Sequence, residues 1–184
     1  ANLKASGDID ERDFLDRVDV LAELGYTVMI SIFSEYYRLV EYFTSYKVRY
    51  IGVAMGVNNL VMVFDEDYYK NLSGGILEAF GKFFRKDMRV YLYPYKDPQT
   101  HELLSSENLI IGENLKELFK YFKLNRRIVD IKNYNPDHAE IYSREILNKI
   151  ASQEKGWEKQ LPDGVAEMIK ERGMFGYKED IEFE

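Results

Sequence analysis

The chain contains no cysteine and only two histidines. The first absence excludes a disulfide framework, a thiolate metal site and a cysteine nucleophile. The second leaves too few imidazoles for a histidine-rich metal centre. An excess of positive charge is also missing, since Lys+Arg 25 against Asp+Glu 32 leaves a net charge of −7. Binders of nucleic acid or anionic membranes need a basic footprint, so no nucleic acid and no membrane are expected as partners. Long apolar runs are absent too. The longest, such as Leu60-Val61-Met62-Val63-Phe64, fall far short of the roughly 20 residues that span a bilayer. Proline is sparse at four residues, and no repeat or low-complexity linker interrupts the chain.

The start, Ala1-Asn2-Leu3-Lys4, has no apolar leader region, and the lack of cysteine fits a cytoplasmic protein. The first methionine is Met29, inside an apolar run. The chain therefore reads as part of a longer protein, with the upstream part of the same protein as one expected partner. What is present is globular: 184 residues, 46% hydrophobic and 31% charged. At roughly 150 residues per domain, that length predicts about one domain.

Helical and strand periodicities alternate along the chain. Residues 10–24 read as a helix capped by Asp10, with Phe14, Val18 and Leu21 inward, and Gly25 ends it. Residues 26–33 run apolar and β-branched, the pattern of a central parallel strand. Ser34 is placed to cap a helix over 35–46, where Tyr36, Leu39, Val40 and Phe43 form one stripe. Residues 50–55 predict a second strand, 57–64 either a helical turn or another strand, 75–85 a helix, and 89–93 a third strand closed by Pro94. Residues 94–110 are turn-rich. A helix follows at 113–124, and 136–172 reads as helical, with Pro136 and Pro162 opening helices and Gly173 ending the last one. The acidic tail, 179–184, reads as a frayed end. The alternation predicts an α/β fold: a Rossmann-like three-layer core with a mainly parallel sheet over residues 1–135. A helical C-terminal extension, 136–184, is expected to pack on the same domain.

In open parallel sheets, ligands favour the carboxyl ends of strands, where helix N-termini present free N–H groups. Ser31 and Ser34, with Arg38 one turn into the helix, form a candidate site for a small anionic ligand. The same residues also suit plain structure, with Ser34 capping and Arg38 pairing with Glu35 or Glu41. Ser73, Gly74 and Gly75 open the next helix and form a second candidate, again with simple capping as the alternative. Gly52-Val53-Ala54-Met55-Gly56 lacks the spacing of a dinucleotide fingerprint and suits a turn beside closely packed backbone.

Asp65, Glu66 and Asp67 suit either a divalent cation or a solvated acidic turn. His101 and His138 have no second histidine at ligand spacing, and no Gly-x-Ser-x-Gly elbow exists. Lys116, Lys120, Lys123, Arg126 and Arg127 interleave with Glu113 and Glu117 as on a solvated face. The tyrosines are unevenly spread, since of the 15 all but Tyr121, Tyr134, Tyr142 and Tyr177 lie between Tyr26 and Tyr95. Rings with a polar tip suit subunit or domain contacts as well as ordinary core, so a homo-oligomer is an open possibility.

Several runs carry a family resemblance. They are Gly7-Asp8-Ile9-Asp10, Asp13-Phe14-Leu15, Arg17-Val18-Asp19, Leu24-Gly25-Tyr26-Thr27-Val28-Met29-Ile30-Ser31 and Glu35-Tyr36-Tyr37-Arg38-Leu39. They continue as Phe64-Asp65-Glu66, Gly74-Gly75-Ile76-Leu77-Glu78-Ala79-Phe80-Gly81, Tyr134-Asn135-Pro136 and Ile169-Lys170-Glu171-Arg172-Gly173. Together they resemble the C-terminal third of a bacterial family of larger proteins labelled nicotinate-nucleotide adenylyltransferase or TonB-dependent receptor. The resemblance implies a nucleotide- or phosphate-binding part of a larger enzyme. The His-x-Gly-His and Ile-Ser-Ser-Thr-x-x-Arg motifs of adenylyltransferases do not occur in this chain, and αβ alternation does not suit a receptor plug or barrel. A strand ending in Ser31 before a helix also resembles the second motif of haloacid-dehalogenase-like phosphatases, but their Asp-x-Asp-x-Thr motif is missing here. The competing expectation is a non-catalytic interaction domain that uses its tyrosine-rich surface.

Overall fold

The computed structural model of the protein describes residues 10–178 apart from Lys86. The Gly7-Asp8-Ile9 run and the acidic tail at 179–184 lie outside the described residues. In chain order the elements are α1 (Glu11–Glu23), α2 (Tyr36–Ser45), β1 (Ile51–Gly56), α3 (Val57–Val63), α4 (Gly75–Phe83), β2 (Met88–Tyr93), β3 (Tyr95–Lys96), β4 (Leu103–Leu104), α5 (Lys116–Leu124), β5 (Ile128–Asp130), α6 (Ser143–Ala151) and α7 (Val165–Arg172). The chain divides into two compact units, Phe33–Glu140 and Ala1–Ile32 with Ile141–Glu184. This division differs from the expected 1–135 and 136–184, because α1 groups with the C-terminal helices.

The Phe33–Glu140 unit is mixed α/β. Its sheet has the order β1-β2-β5, and both pairings are parallel. The register sets Val53 beside Val90 and Val90 beside Ile128. Side chains alternate across a strand, so Ile51, Val53 and Met55 share a face with Met88, Val90, Leu92 and Ile128. That face is the core side, where Val90 and Leu92 are fully buried. It packs with Val40 of α2, Leu60 of α3, Phe80 and Phe83 of α4, and Phe119 and Phe122 of α5. Phe80 stands edge-on to Phe64 (4.9 Å) and Phe122 (5.5 Å), while Phe84 stacks on Phe122 at 4.0 Å.

The opposite face is uncovered. Gly52, Ala54, Arg89 and Tyr91 are all exposed there. Among the described residues of this unit, helices lie on one side of the sheet, two layers where three were expected. A Cβ at Gly52 would lie 2.9 Å from Cε2 of Tyr91, so a side chain there would require that exposed ring to shift.

A further correction concerns 26–33. No strand forms there: the residues have no regular structure, and Ile30 and Ile32 are 62% and 93% exposed. Strand propensity expresses fit to a pleated, paired surface, and an apolar run without a paired neighbour does not become a strand. By contrast, β5 and the antiparallel β3–β4 pair arise in segments that periodicity did not mark. Both are short, at three and two residues per strand. The ambiguous 57–64 segment resolves as α3, whose Val57, Leu60 and Val63 face inward.

The other unit is helical. Asp10 caps α1 as expected, accepting from the amides of Arg12 (2.9 Å) and Asp13 (3.1 Å). Leu21, expected inward, is 43% exposed. The buried residue of α1 is Asp16, which accepts from the amide of Phe175 at 2.7 Å. Trp157, Ile146, Ile150, Val165, Ala166, Ile169 and Met174 form this unit's own core. No helix among the described residues is long and apolar enough to cross a membrane.

Candidate functional site

Within the Phe33–Glu140 unit, a solvent-open cleft of about 530 Å³ is lined by Phe33, Tyr37, Arg38, Glu41, Tyr42, Leu72 and Lys82. Local sequence explains who is there. Tyr37 and Val40 are the buried stripe of α2, so Arg38, Glu41 and Tyr42 fall toward the helix's outer side. Lys82 stands on the last turn of α4, four residues after Glu78. Phe33 precedes α2, and its ring lies 5.5 Å from that of Tyr42.

Two cations flank one aromatic ring in this cleft. Lys82 Nζ lies 5.6 Å from the centroid of Tyr37, and Arg38 Cζ lies 5.9 Å from it. Arg38 Nε also donates to Tyr37 Oη at 3.2 Å and lies 3.2 Å from Glu35 Oε2. These two partners, Tyr37 first, hold the guanidinium more firmly charged than usual. Lys82 donates to Glu78 Oε1 at 2.8 Å, which raises its pKa and lowers that of Glu78. Of the two carboxylates Arg38 was expected to choose between, it takes Glu35; Glu41 instead accepts from Arg85 at 3.2 Å.

Of the sequence-derived candidates, only Arg38 lines the cleft. Ser34 does not cap α2, since Glu35 occupies that position without a side-chain cap bond. The Ser34 hydroxyl donates to Glu35 Oε2 at 3.0 Å, so a neighbouring carboxylate has captured it. Ser31 is exposed and belongs to the other compact unit. At the turn of Ser73, Gly74 and Gly75, the amide of Gly74 donates to Glu78 Oε2 at 3.0 Å. The chain's own carboxylate thus fills the place offered to an anion. Gly75 adopts φ +53°, which only glycine enters without strain.

Asp65 caps the short turn that follows it by accepting from the amide of Asp67 at 3.0 Å. Asp67 pairs with Lys70, and Glu66 accepts from Asn114. Among the described residues no three carboxylate, histidine or cysteine side chains gather as a metal site. Lys116 and Lys120 sit 3.7 and 3.6 Å from Glu113 and Glu117. His101 ends a turn whose Asp97 accepts from the amides of Gln99 (2.8 Å) and Thr100 (2.9 Å). His138 is exposed.

Sequence reasoning missed Phe33, Tyr37, Leu72 and Lys82 as neighbours of Arg38, because only the packing of α2 on α4 brings them together. It also missed the tie between the hydroxyl of Ser106 and Asp130 at the end of β5, 2.7 Å long. No protein-family model, no curated protein and no solved structure matches the chain.

Proposed function

We propose that the mixed α/β Phe33–Glu140 unit is a ligand-binding domain that takes a small anionic aromatic molecule of the nucleotide class in the α2–α4 cleft. One observation carries this reading: Arg38 and Lys82 flank the ring of Tyr37 in a cleft that Phe33, Tyr42, Leu72 and Glu41 complete, with Glu41 paired to Arg85. A volume of about 530 Å³ suits a small molecule. Phe33 and Tyr42 offer faces for a base, while a guanidinium and an ammonium serve phosphate oxygens.

Both cations already have carboxylate partners, half-buried near neighbours in sequence: Glu35 at the N-cap of α2 and Glu78 on α4. Such pairs are weakly held, so phosphate oxygens can replace them at little cost. Titration of the full chain with ADP, followed by amide and tyrosine NMR signals, tests the reading. ADP is expected to shift α2 and α4 signals. Adenosine, which lacks the charge, is expected to bind more weakly, and Arg38→Ala or Lys82→Ala to weaken ADP binding roughly tenfold each. Failure of ADP to shift cleft signals, or equal binding by both charge variants and the wild type, refutes it.

A second reading, an interaction domain, is favoured by the uncovered sheet face and by β1 standing at the sheet's edge.

A further inference from the structure

The sheet of the Phe33–Glu140 unit ends abruptly at β1. Six residues, Ile51–Gly56, form its outermost strand, with backbone groups on one side unpaired within the sheet. Such an edge is a template for another strand. The core-side residues of β1 record the missing neighbour. Val90 and Leu92 of central β2 are fully buried, whereas on the same face Ile51 and Val53 are only half-buried and Met55, toward the end of β1, is buried.

Elsewhere in the chain a strand-like run has no sheet. Residues 27–32, Thr-Val-Met-Ile-Ser-Ile, are β-branched and apolar, carry no regular structure and are mostly exposed. This run is also six residues long. Its alternation matches the edge it would join: Val28, Ile30 and Ile32 fall on one face, Thr27, Met29 and Ser31 on the other. A parallel register sets the first trio beside Ile51, Val53 and Met55 over the helix-covered core. The same register sets Thr27, Met29 and Ser31 beside Tyr50, Gly52 and Ala54. A one-residue slip would turn the three branched apolar side chains outward, so pattern selects register.

We propose that residues 27–32 of one copy add as a parallel fourth strand to the free edge of β1 in a second copy, giving a two-fold strand-exchanged dimer. Each copy then gives one run and receives one, so the exchange closes at two copies with both β1 edges covered. The partner's run supplies ladder hydrogen bonds and covers Ile51 and Val53. This proposal does not depend on the cleft binding a ligand.

The native absence of cysteine makes the test clean. Chains carrying Ile30→Cys alone and Val53→Cys alone are mixed and oxidised. Adjacent strand positions bring Cα atoms within disulfide range, so a 30–53 heterodimer should dominate over either homodimer. Statistical amounts of the three dimers, or no dimer, overturn the proposal. In the chain carrying both cysteines, a bond formed wholly within monomers overturns it as well. Light scattering of the cysteine-free chain should give a dimer mass, reduced to a monomer mass by Ile30→Lys. Because Ile30 is largely exposed, Ile30→Lys should leave the circular dichroism of the diluted monomer intact. A wild-type chain that stays monomeric at every concentration overturns the proposal. ADP titration of the Ile30→Lys variant separates the two readings, since loss of the dimer should leave cleft shifts unchanged.

Discussion

Phe80→Ala probes the centre of the sheet unit most directly. Phe80 is 2% exposed and contacts four rings: Phe64 at 4.9 Å, Tyr69 at 6.0 Å, Phe84 at 5.5 Å and Phe122 at 5.5 Å. Truncation removes the transfer free energy of a benzyl group and leaves a cavity walled by those rings. That combination costs about 3–5 kcal/mol. Pairs of this geometry carry about 0.5–1.5 kcal/mol beyond their area, though the four do not simply add. Against a total stability of about 5–15 kcal/mol, the change should consume a large share of the unit's stability. Urea unfolding, followed by amide exchange at 88–93, should show a lower midpoint with the slope unchanged. Phe80→Leu keeps most of the volume and should cost about 1.5 kcal/mol or less. A Phe80→Ala cost below about 1 kcal/mol, or equal costs for Ala and Leu, would refute the packing argument.

Four further outcomes follow from named contacts. Asp16→Ala should cost about 1–3 kcal/mol by stranding the amide of Phe175, while Asp16→Asn, which keeps an acceptor, should recover most of it in thermal melts. Gly75→Ala, at φ +53°, should cost about 1–3 kcal/mol in urea unfolding, whereas Gly52→Ala should cost less because the half-exposed Tyr91 ring can swing aside. Ser106→Ala should lower stability by about 1 kcal/mol through loss of its 2.7 Å bond to Asp130. Glu158, bonded to Lys170 at 2.8 Å, has its carboxyl held down to about 2. Its folded pKa lies below the ordinary glutamate value near 4.5, so its contribution is present above that value and lost as pH falls toward 2. A Glu158→Gln chain should therefore lose less stability than the wild type between pH 5 and about 2 in acid titration.

Helices were legible wherever one stripe did the packing. In α4 the apolar spacing alone marks Ala79, Phe80 and Phe83 as inward, and all are buried; of the α2 stripe Val40 is buried, while Tyr36, Leu39 and Phe43 are half-buried and Tyr37 takes the second buried place. Strands β1 and β2 were legible because their apolar stretches sit between helices. The 26–33 run failed for the opposite reason: its residues satisfy every local rule for a strand, but a strand exists only in its pairing. The three residues of β5 failed because so short a segment carries too little pattern to distinguish it from a turn. Arg38 was found as a site residue through its place one turn into a helix. Its cleft partner Lys82 is 44 residues away, and nothing in either segment encodes that meeting except the matching stripes of α2 and α4.

The candidate serines illustrate the limit on reading binding from composition. Ser34 and Ser73 stand where helices begin, which is where both a cap and an anion site would place a hydroxyl. What separates the two is whether a carboxylate stands within reach. Glu35 takes the hydroxyl of Ser34, and Glu78 takes the amide of Gly74, so both helix starts are filled from inside the chain. The cations of the cleft are held by those same two carboxylates, Glu35 for Arg38 and Glu78 for Lys82. One pair of acids thus blocks the helix starts and also restrains the cleft. Replacing Glu78 by Gln removes the negative charge beside Lys82 while leaving Tyr37, Phe33 and Tyr42 in place. ADP should then bind the cleft more tightly than in the wild type, with the larger gain at low salt, where unscreened charge counts most. Unchanged or weaker ADP binding by Glu78→Gln would mean that Lys82 does not face the ligand, and the cleft would lose one of the two charges on which its assignment rests.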